Sequence, residues 1–121
     1  MTDKTFPVTI FHNPACGTSR NVLAAIREAG IDPTVVEYLK AGWTKPQLKG
    51  LLAAMGAKPR DILRTRGAPD AALALVGASA KDEAVLDAMV AYPILVERPI
   101  VVTPKGTRLC RPKETVAELL P

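Results

Sequence analysis

The chain has 121 residues, of which 48% are hydrophobic and 23% charged, and its formal net charge is +4. This length and composition are typical of one compact domain over 1–121 and exclude two ordinary ones. No apolar run approaches the roughly 18 to 20 residues of a membrane-spanning helix, and the first residues lack the layout of a signal peptide, so we expect a cytoplasmic protein with no membrane partner.

The first third of the chain predicts a βαβ unit. An apolar strand over 8–11 is followed by a helix from about Gly17 to Ala29, which Gly30 ends. A second strand rich in β-branched residues covers 34–38. A strand–helix–strand unit of this length makes the two strands parallel.

The middle of the chain is predicted to be helical, between the second and third strands. The expected segments are a helix capped by Thr44 and ending near Gly56, a short basic helix from Pro59 to about Arg66, an ambiguous alanine-rich stretch over 67–80, and a helix from about Lys81 to Ala91 capped by Ser79.

The last third changes to a β-hairpin. The segment 100–103 and the segment 107–110 flank a Pro-Lys-Gly turn, and Pro112 opens a final helix to about Leu120. The element order therefore predicts an α/β domain.

Cys16 lies where the first strand gives way to the first helix. Unpaired N–H groups and the helix dipole favour an anion at this point, so the thiolate is favoured there and an oxyanion can bind beside it. A small buried cysteine is the alternative, but the neighbouring Asn, Pro, Gly, Thr and Ser residues are typical of turns and caps. Ser19 takes the place of the second cysteine of a dithiol redox motif, so Cys16 has no local disulfide partner.

Other residues leave alternatives open. His12, four residues before Cys16, is a candidate for proton transfer or for orienting and holding the loop. Arg64, Arg98 and Arg111 lie near the ends of predicted elements and have the fixed charge and planar fork that suit an oxyanion, although a solvated surface arginine looks the same in a sequence. Pro99 is permitted at the start of a strand in a cis or a trans bond.

Metal and nucleic-acid sites are not expected. Two cysteines and one histidine are too few for a structural zinc site or a disulfide framework, so we predict no metal and no tightly bound cofactor. The basic stretches attract anions, but the aromatic residues do not interleave with them as base-stacking platforms would.

Two segments, HNPACGTSRN at 12–21 and RPIVVTPKGTRLCRP at 98–112, resemble the glutaredoxin-coupled arsenate reductases. The resemblance covers nearly the whole chain. It implies a thioredoxin-like fold with a mixed four-stranded sheet and a helical insertion between the second and third strands. It also implies that Pro99 is a cis proline beside the active-site cysteine.

The resemblance further implies the site and its reaction. Cys16 would attack arsenate while Arg64, Arg98 and Arg111 hold the oxyanion. Glutathione is then the co-substrate and glutaredoxin the reducing partner, which agrees with the serine at position 19. His12 matches the histidine that precedes the family's cysteine, and Cys110 matches a cysteine usually treated as non-essential.

Two other functions remain open at this point. An Spx-like regulator that binds RNA polymerase belongs to the same superfamily, although such proteins usually carry a Cys-x-x-Cys switch. A monothiol glutaredoxin-like reductase acting on glutathionylated proteins is permitted by the Cys-x-x-Ser arrangement.

Overall fold

A computed structural model describes residues 6–121 of the protein. The chain forms two compact units, one built from the residues up to 41 together with 98–121, and the other from 42–97. We call them the sheet unit and the insertion unit. The prediction of a single domain over 1–121 stays a prediction.

The sheet unit contains a mixed four-stranded sheet in the order β2-β1-β3-β4. Its strands are β1 (Thr9–His12), β2 (Thr34–Glu37), β3 (Ile100–Thr103) and β4 (Gly106–Leu109). β1 and β2 are parallel, whereas β3 runs antiparallel to both β1 and β4. The predicted βαβ unit and hairpin are therefore confirmed, with strand ends shifted by one residue.

Helix α1 (Gly17–Glu28) connects the two parallel strands. Its apolar face carries Val22 and Ile26, which are fully buried and which each contribute about 1.5–3 kcal/mol of burial free energy. Gly30 ends the helix region with a φ of +83°, a left-handed value that favours glycine. These side chains join a core cluster made of Val8, Ile10, Val22, Ile26, Ile31, Val101, Cys110, Val116 and Leu119.

Two elements of the sheet unit differ from the sequence prediction. A one-turn helix, α2 (Tyr38–Ala41), directly follows β2 and was not predicted. The final helix expected from Pro112 is a 3₁₀ helix over Lys113–Leu119. The Thr103 hydroxyl donates to the Leu119 carbonyl over 2.8 Å, which ties the end of this helix to the hairpin.

The insertion unit is mainly helical. Its elements are α3 (Lys45–Met55), a 3₁₀ helix at Pro59–Ile62, α4 (Asp70–Leu73), α5 (Asp82–Ala91) and a 3₁₀ helix at Pro93–Leu95. α3 begins as predicted, because Thr44 accepts from the Gln47 N–H in a reciprocal capping box.

Two predictions for this unit were wrong. The basic helix expected to reach Arg66 ends at Ile62, because Leu63 pairs with Val96 in an antiparallel bridge and leaves the helical path. Ser79 does not cap α5: the N-cap is Lys81, without a side-chain hydrogen bond. The helix instead carries Asp82 and Glu83 in its first turn, where negative charge is favoured.

Within 6–121, no helix is long and apolar enough to cross a membrane.

Candidate active site

The site is built around the loop between β1 and α1, where Cys16 is the N-cap residue of the helix. The Cys16 N–H donates to the Asn13 carbonyl over 3.0 Å, and the Cys16 carbonyl accepts from the Arg20 N–H over 3.0 Å. The Asn13 side chain accepts from the Ala15 N–H over 2.9 Å. These bonds fix the backbone, so that the half-buried thiol lies beside the first turn of the helix, as predicted.

The surroundings of Cys16 favour the thiolate. Burial raises the pKa of the thiol, but the Ser19 N–H and the side chains of Arg111 and Arg98 oppose it, and the net pKa lies below its ordinary value. The Cys16 side chain makes no regular capping hydrogen bond, but the Ser19 N–H in the first turn of the helix still acts to lower the pKa of the thiol. A cysteine with a lowered pKa at a helix N-terminus is an activated nucleophile.

Arg98 and Arg111 flank the hairpin and meet beside the sulfur. The pairing of Ile100 with Leu109, continued outward by two residues, brings these arginines opposite each other. The Arg111 guanidinium donates to the Arg98 carbonyl over 2.9 Å and lies 3.7 Å from the Cys16 sulfur.

The backbone beside these arginines has two cis peptide bonds. The bond from Arg98 to Pro99 is cis, as the resemblance implied, and so is the bond from Arg111 to Pro112, which was not foreseen. The Pro99 carbonyl accepts from the Cys110 N–H over 2.9 Å, which joins the two ends of the hairpin next to the site.

Ser19 and His12 form a buried pair below the loop. Ser19 is fully buried, its hydroxyl accepts from the Asn13 N–H over 3.1 Å, and it lies 2.6 Å from Nδ1 of His12. Burial lowers the pKa of His12, with Arg27 and Arg20 adding to this effect against Glu37. A neutral ring then accepts from the Ser19 hydroxyl at Nδ1, and this arrangement holds the loop. It favours the loop-holding interpretation of His12 over proton transfer.

Tyr38 is a site residue that sequence reasoning missed. It is fully buried, and its hydroxyl hydrogen-bonds with the side chains of Arg98 and Asn13. Burial raises the pKa of Tyr38, although Arg98 acts in the opposite direction, so the phenol stays protonated near neutral pH. In the sequence Tyr38 only ends a β-branched run, which gives no signal for a contact with a residue 60 positions away.

Arg64, the third predicted arginine, lies in the insertion unit. Its guanidinium donates to the Glu97 carboxylate over 2.9 Å, and its backbone N–H donates to the Leu95 carbonyl over 2.7 Å. Both side chains are mostly shielded from solvent. Among the described residues no hydrogen-bond partner is found for Nε of Arg64. Its role as an oxyanion ligand stays a prediction.

Cys110 lies outside this chemistry. It follows β4 directly and is fully buried. Burial raises the pKa of its thiol to about 12, while Arg108 acts to lower this pKa and Glu118 to raise it, each by less than burial does. A thiol that stays protonated in the core neither attacks an electrophile nor binds an oxyanion.

The arrangement therefore provides one activated thiolate with two guanidinium groups beside it. Arginines in such a position stabilise the negative oxygens of a tetrahedral anion while the sulfur attacks its central atom. The described geometry suits nucleophilic attack on an oxyanion better than disulfide exchange between two protein thiols.

Comparison with known proteins agrees with this chemistry. The model of the ArsC family matches residues 11–119. The arsenate reductase ArsI2 of Synechocystis sp. is 60% identical over 113 residues, which are 93% of this chain and 81% of that protein. An arsenate reductase of Escherichia coli is 50% identical over 114 residues, with coverage of 94% and 81%. The structure of an arsenate reductase from Vibrio cholerae has a TM-score of 0.86 at 37% identity and covers 95% of this chain and 98% of its own. The predicted fold class is thereby confirmed.

Proposed function

The chain belongs to the ArsC family and is an arsenate reductase, and we propose that it reduces arsenate through a Cys16–arsenic adduct that glutathione and glutaredoxin resolve. The observation that supports the proposal best is the Arg111 guanidinium 3.7 Å from the Cys16 sulfur. That cation favours the thiolate before the reaction and compensates the charge of the bound oxyanion during it.

In the first step the Cys16 thiolate donates an electron pair to arsenic(V). A sulfur–arsenic bond forms, one arsenic–oxygen bond breaks, and the oxygen takes up protons and leaves as water. Arg98 and Arg111 hold the remaining oxygens. Arg64 is the third ligand that the resemblance assigns, and the Glu97 carboxylate fixes its guanidinium within the insertion unit.

In the second step the glutathione thiol displaces another oxygen as water, so that arsenic carries both sulfurs. A glutaredoxin thiolate then attacks the glutathione sulfur. The electron pair of the sulfur–arsenic bond stays on arsenic, which becomes arsenic(III), and the two external sulfurs form a mixed disulfide. Water replaces Cys16 on arsenic, arsenite leaves, and the thiolate is restored.

The environment of Ser19 supports the part of the proposal that uses external thiols. Its hydroxyl is buried and engaged with His12 and Asn13, so the position that carries a resolving cysteine in dithiol proteins here stabilises the loop. In this proposal no tightly bound cofactor takes part, and the reaction takes place in the cytoplasm, where glutathione is kept reduced.

The test is arsenate-dependent NADPH oxidation in the presence of glutathione, glutaredoxin and glutathione reductase. The wild type is expected to turn over, and Cys16→Ser is expected to lose all activity. Cys110→Ala is the matched control, because it removes the other thiol and is expected to retain activity.

Omitting glutathione or glutaredoxin separates the finer proposal from the activity itself. For these omissions arsenite is measured directly with dithiothreitol as the reductant, because NADPH oxidation itself requires glutathione. Undiminished arsenite formation without glutathione or glutaredoxin would contradict the proposed thiol sequence. A folded wild type that ignores arsenate but reduces a glutathione mixed disulfide would point to the glutaredoxin-like alternative.

A further inference from the structure

A groove of about 500 Å³ runs along one face of α1, next to the Cys16 loop. Its lining includes His12 and Pro14 from the loop region and Leu23 and Ala24 from α1. The volume lies within the usual range of small-molecule sites. The reaction described above uses the loop but not this groove.

The groove carries charges of both signs at fixed spacing. Arg20, Arg27 and Glu28 line it, and all three side chains belong to exposed residues. The seven residues from Arg20 to Arg27 advance the helix by about 10 Å at 1.5 Å per residue. Helical side chains lean towards the N-terminus, and both arginines lie close enough to His12 to lower its pKa. Arg20 therefore lies at the loop end of the groove and Arg27 about two helical turns further along it.

We propose that this groove binds glutathione, with the γ-glutamyl head group at Arg27 and Glu28 and the glycine carboxylate at Arg20. This inference rests on the proposed function, since it names the subsite for the first external thiol. An amino-acid head group carries a carboxylate and an ammonium on one carbon, and Arg27 and Glu28, which both line the groove, supply the opposite charges.

The two arms of glutathione fit the groove in one direction. The γ-glutamyl arm is the longer, because its side-chain methylenes separate the head group from the cysteine, whereas the glycine arm is short. With the long arm running down α1 over Leu23 and Ala24, the sulfur lies near the first turn of the helix, where Cys16 is the N-cap. The reverse direction would carry the sulfur away from the loop.

Arg20 has a second contact that bears on the choice of variant. Its guanidinium donates to the Pro14 carbonyl over 2.9 Å, so its replacement would also disturb the Cys16 loop. Within residues 6–121 the Arg27 side chain makes no hydrogen bond to the loop, and it lies two turns further along α1, so Arg27→Ala is the cleaner probe.

The experiment uses the full chain with Cys16→Ser, which binds without reacting, and S-methylglutathione as the probe. Binding is followed by NMR shifts of α1 residues in a titration. Arg27→Ala is expected to weaken binding about fivefold, as for the loss of one exposed charge-assisted contact. Lys40→Ala is the matched control, because it removes one positive charge from an exposed residue of the same unit, and it is expected to bind like its parent.

A shortened probe tests the assigned direction. S-methylcysteinylglycine lacks the γ-glutamyl head group, so Arg27→Ala is expected to leave its binding unchanged. An equal loss for both probes would overturn the assignment of Arg27 to the head group.

Three results would overturn the subsite as a whole. The first is that S-methylglutathione causes NMR shifts only outside α1. The second is that inorganic phosphate at equal concentration displaces S-methylglutathione. The third is that glutaredoxin binds at the groove and S-methylglutathione does not. Because none of these measurements uses arsenate, failure of the subsite is distinguishable from failure of the proposed reaction.

Discussion

The two thiols of this chain lie in one structural unit but in opposite environments. Cys16 ends a loop at the N-terminus of α1, half-buried, with Arg111 3.7 Å from its sulfur. Cys110 follows β4, is fully buried in the core cluster, and has its pKa raised to about 12 by burial.

A nearby cation alone is not enough to activate a cysteine. Arg108 lowers the pKa of Cys110, yet the loss of solvent outweighs it. At Cys16 burial acts in the same direction, but one backbone N–H and two guanidinium groups together outweigh it. The thiolate of Cys16 is favoured over the thiol only because the helix N-terminus and the two ends of the hairpin lie together at the sulfur.

The largest expected effect is selective alkylation. At pH 7 iodoacetamide should modify Cys16 at least about a thousandfold faster than Cys110, because reactivity follows the thiolate fraction and exposure. Peptide mass spectrometry after short reaction times measures both rates. Labelling of Cys110 in the folded protein at a rate near that of Cys16 would contradict this difference between the two thiols.

The pH dependence of the same reaction gives the sign of the Cys16 shift. The Cys16 pKa is lowered, so its thiolate persists to lower pH than that of a free cysteine, and reactivity is lost as the pH falls through the lowered value. The midpoint is expected at a lower pH than that of a free cysteine alkylated under the same conditions. A midpoint above that of a free cysteine would contradict the lowered pKa.

A smaller effect is expected from Arg111→Ala. It removes a donor from the sulfur and from the oxyanion, so kcat/KM for arsenate should fall about 10- to 100-fold and the alkylation midpoint of Cys16 should move to higher pH. Arg108→Ala is the matched control on the same hairpin, since its exposed pair with Glu118 contributes at most about 1 kcal/mol. Equal losses in both variants would indicate a general charge effect.

The smallest effect is expected from Tyr38→Phe. This change preserves packing but removes the hydroxyl that hydrogen-bonds with Arg98 and Asn13. A loosened Arg98 should raise KM for arsenate about fivefold, the equivalent of about 1 kcal/mol, with little change in kcat. Steady-state kinetics of Tyr38→Phe beside Tyr92→Phe, which alters a half-buried tyrosine of the insertion unit, provides the check. A fall in kcat at constant KM would contradict a positioning role.

Local patterns were sufficient for much of the fold. Periodicity, Gly30 and the β-branched strand expected at 34–38 predicted the βαβ unit, and Thr44 predicted the start of α3. The failures were places where a partner distant in sequence overrode the local signal. Leu63 left its predicted helix because Val96 pairs with it, and no propensity of residues 63–66 contains that information.

Patterns read along the chain indicated the family and made Cys16 the candidate nucleophile, because a cysteine at a strand-to-helix junction and two long motifs are visible without the fold. Only the tertiary structure decided what surrounds it: Arg111 against the sulfur, Tyr38 on Arg98, Ser19 turned into the core towards His12, and the charged groove along α1. An N-cap can be recognised from neighbouring residues, because it depends on the local course of the chain. The burial of the thiol and the charges around it depend on groups from distant segments, which come together only when the hairpin packs beside β1.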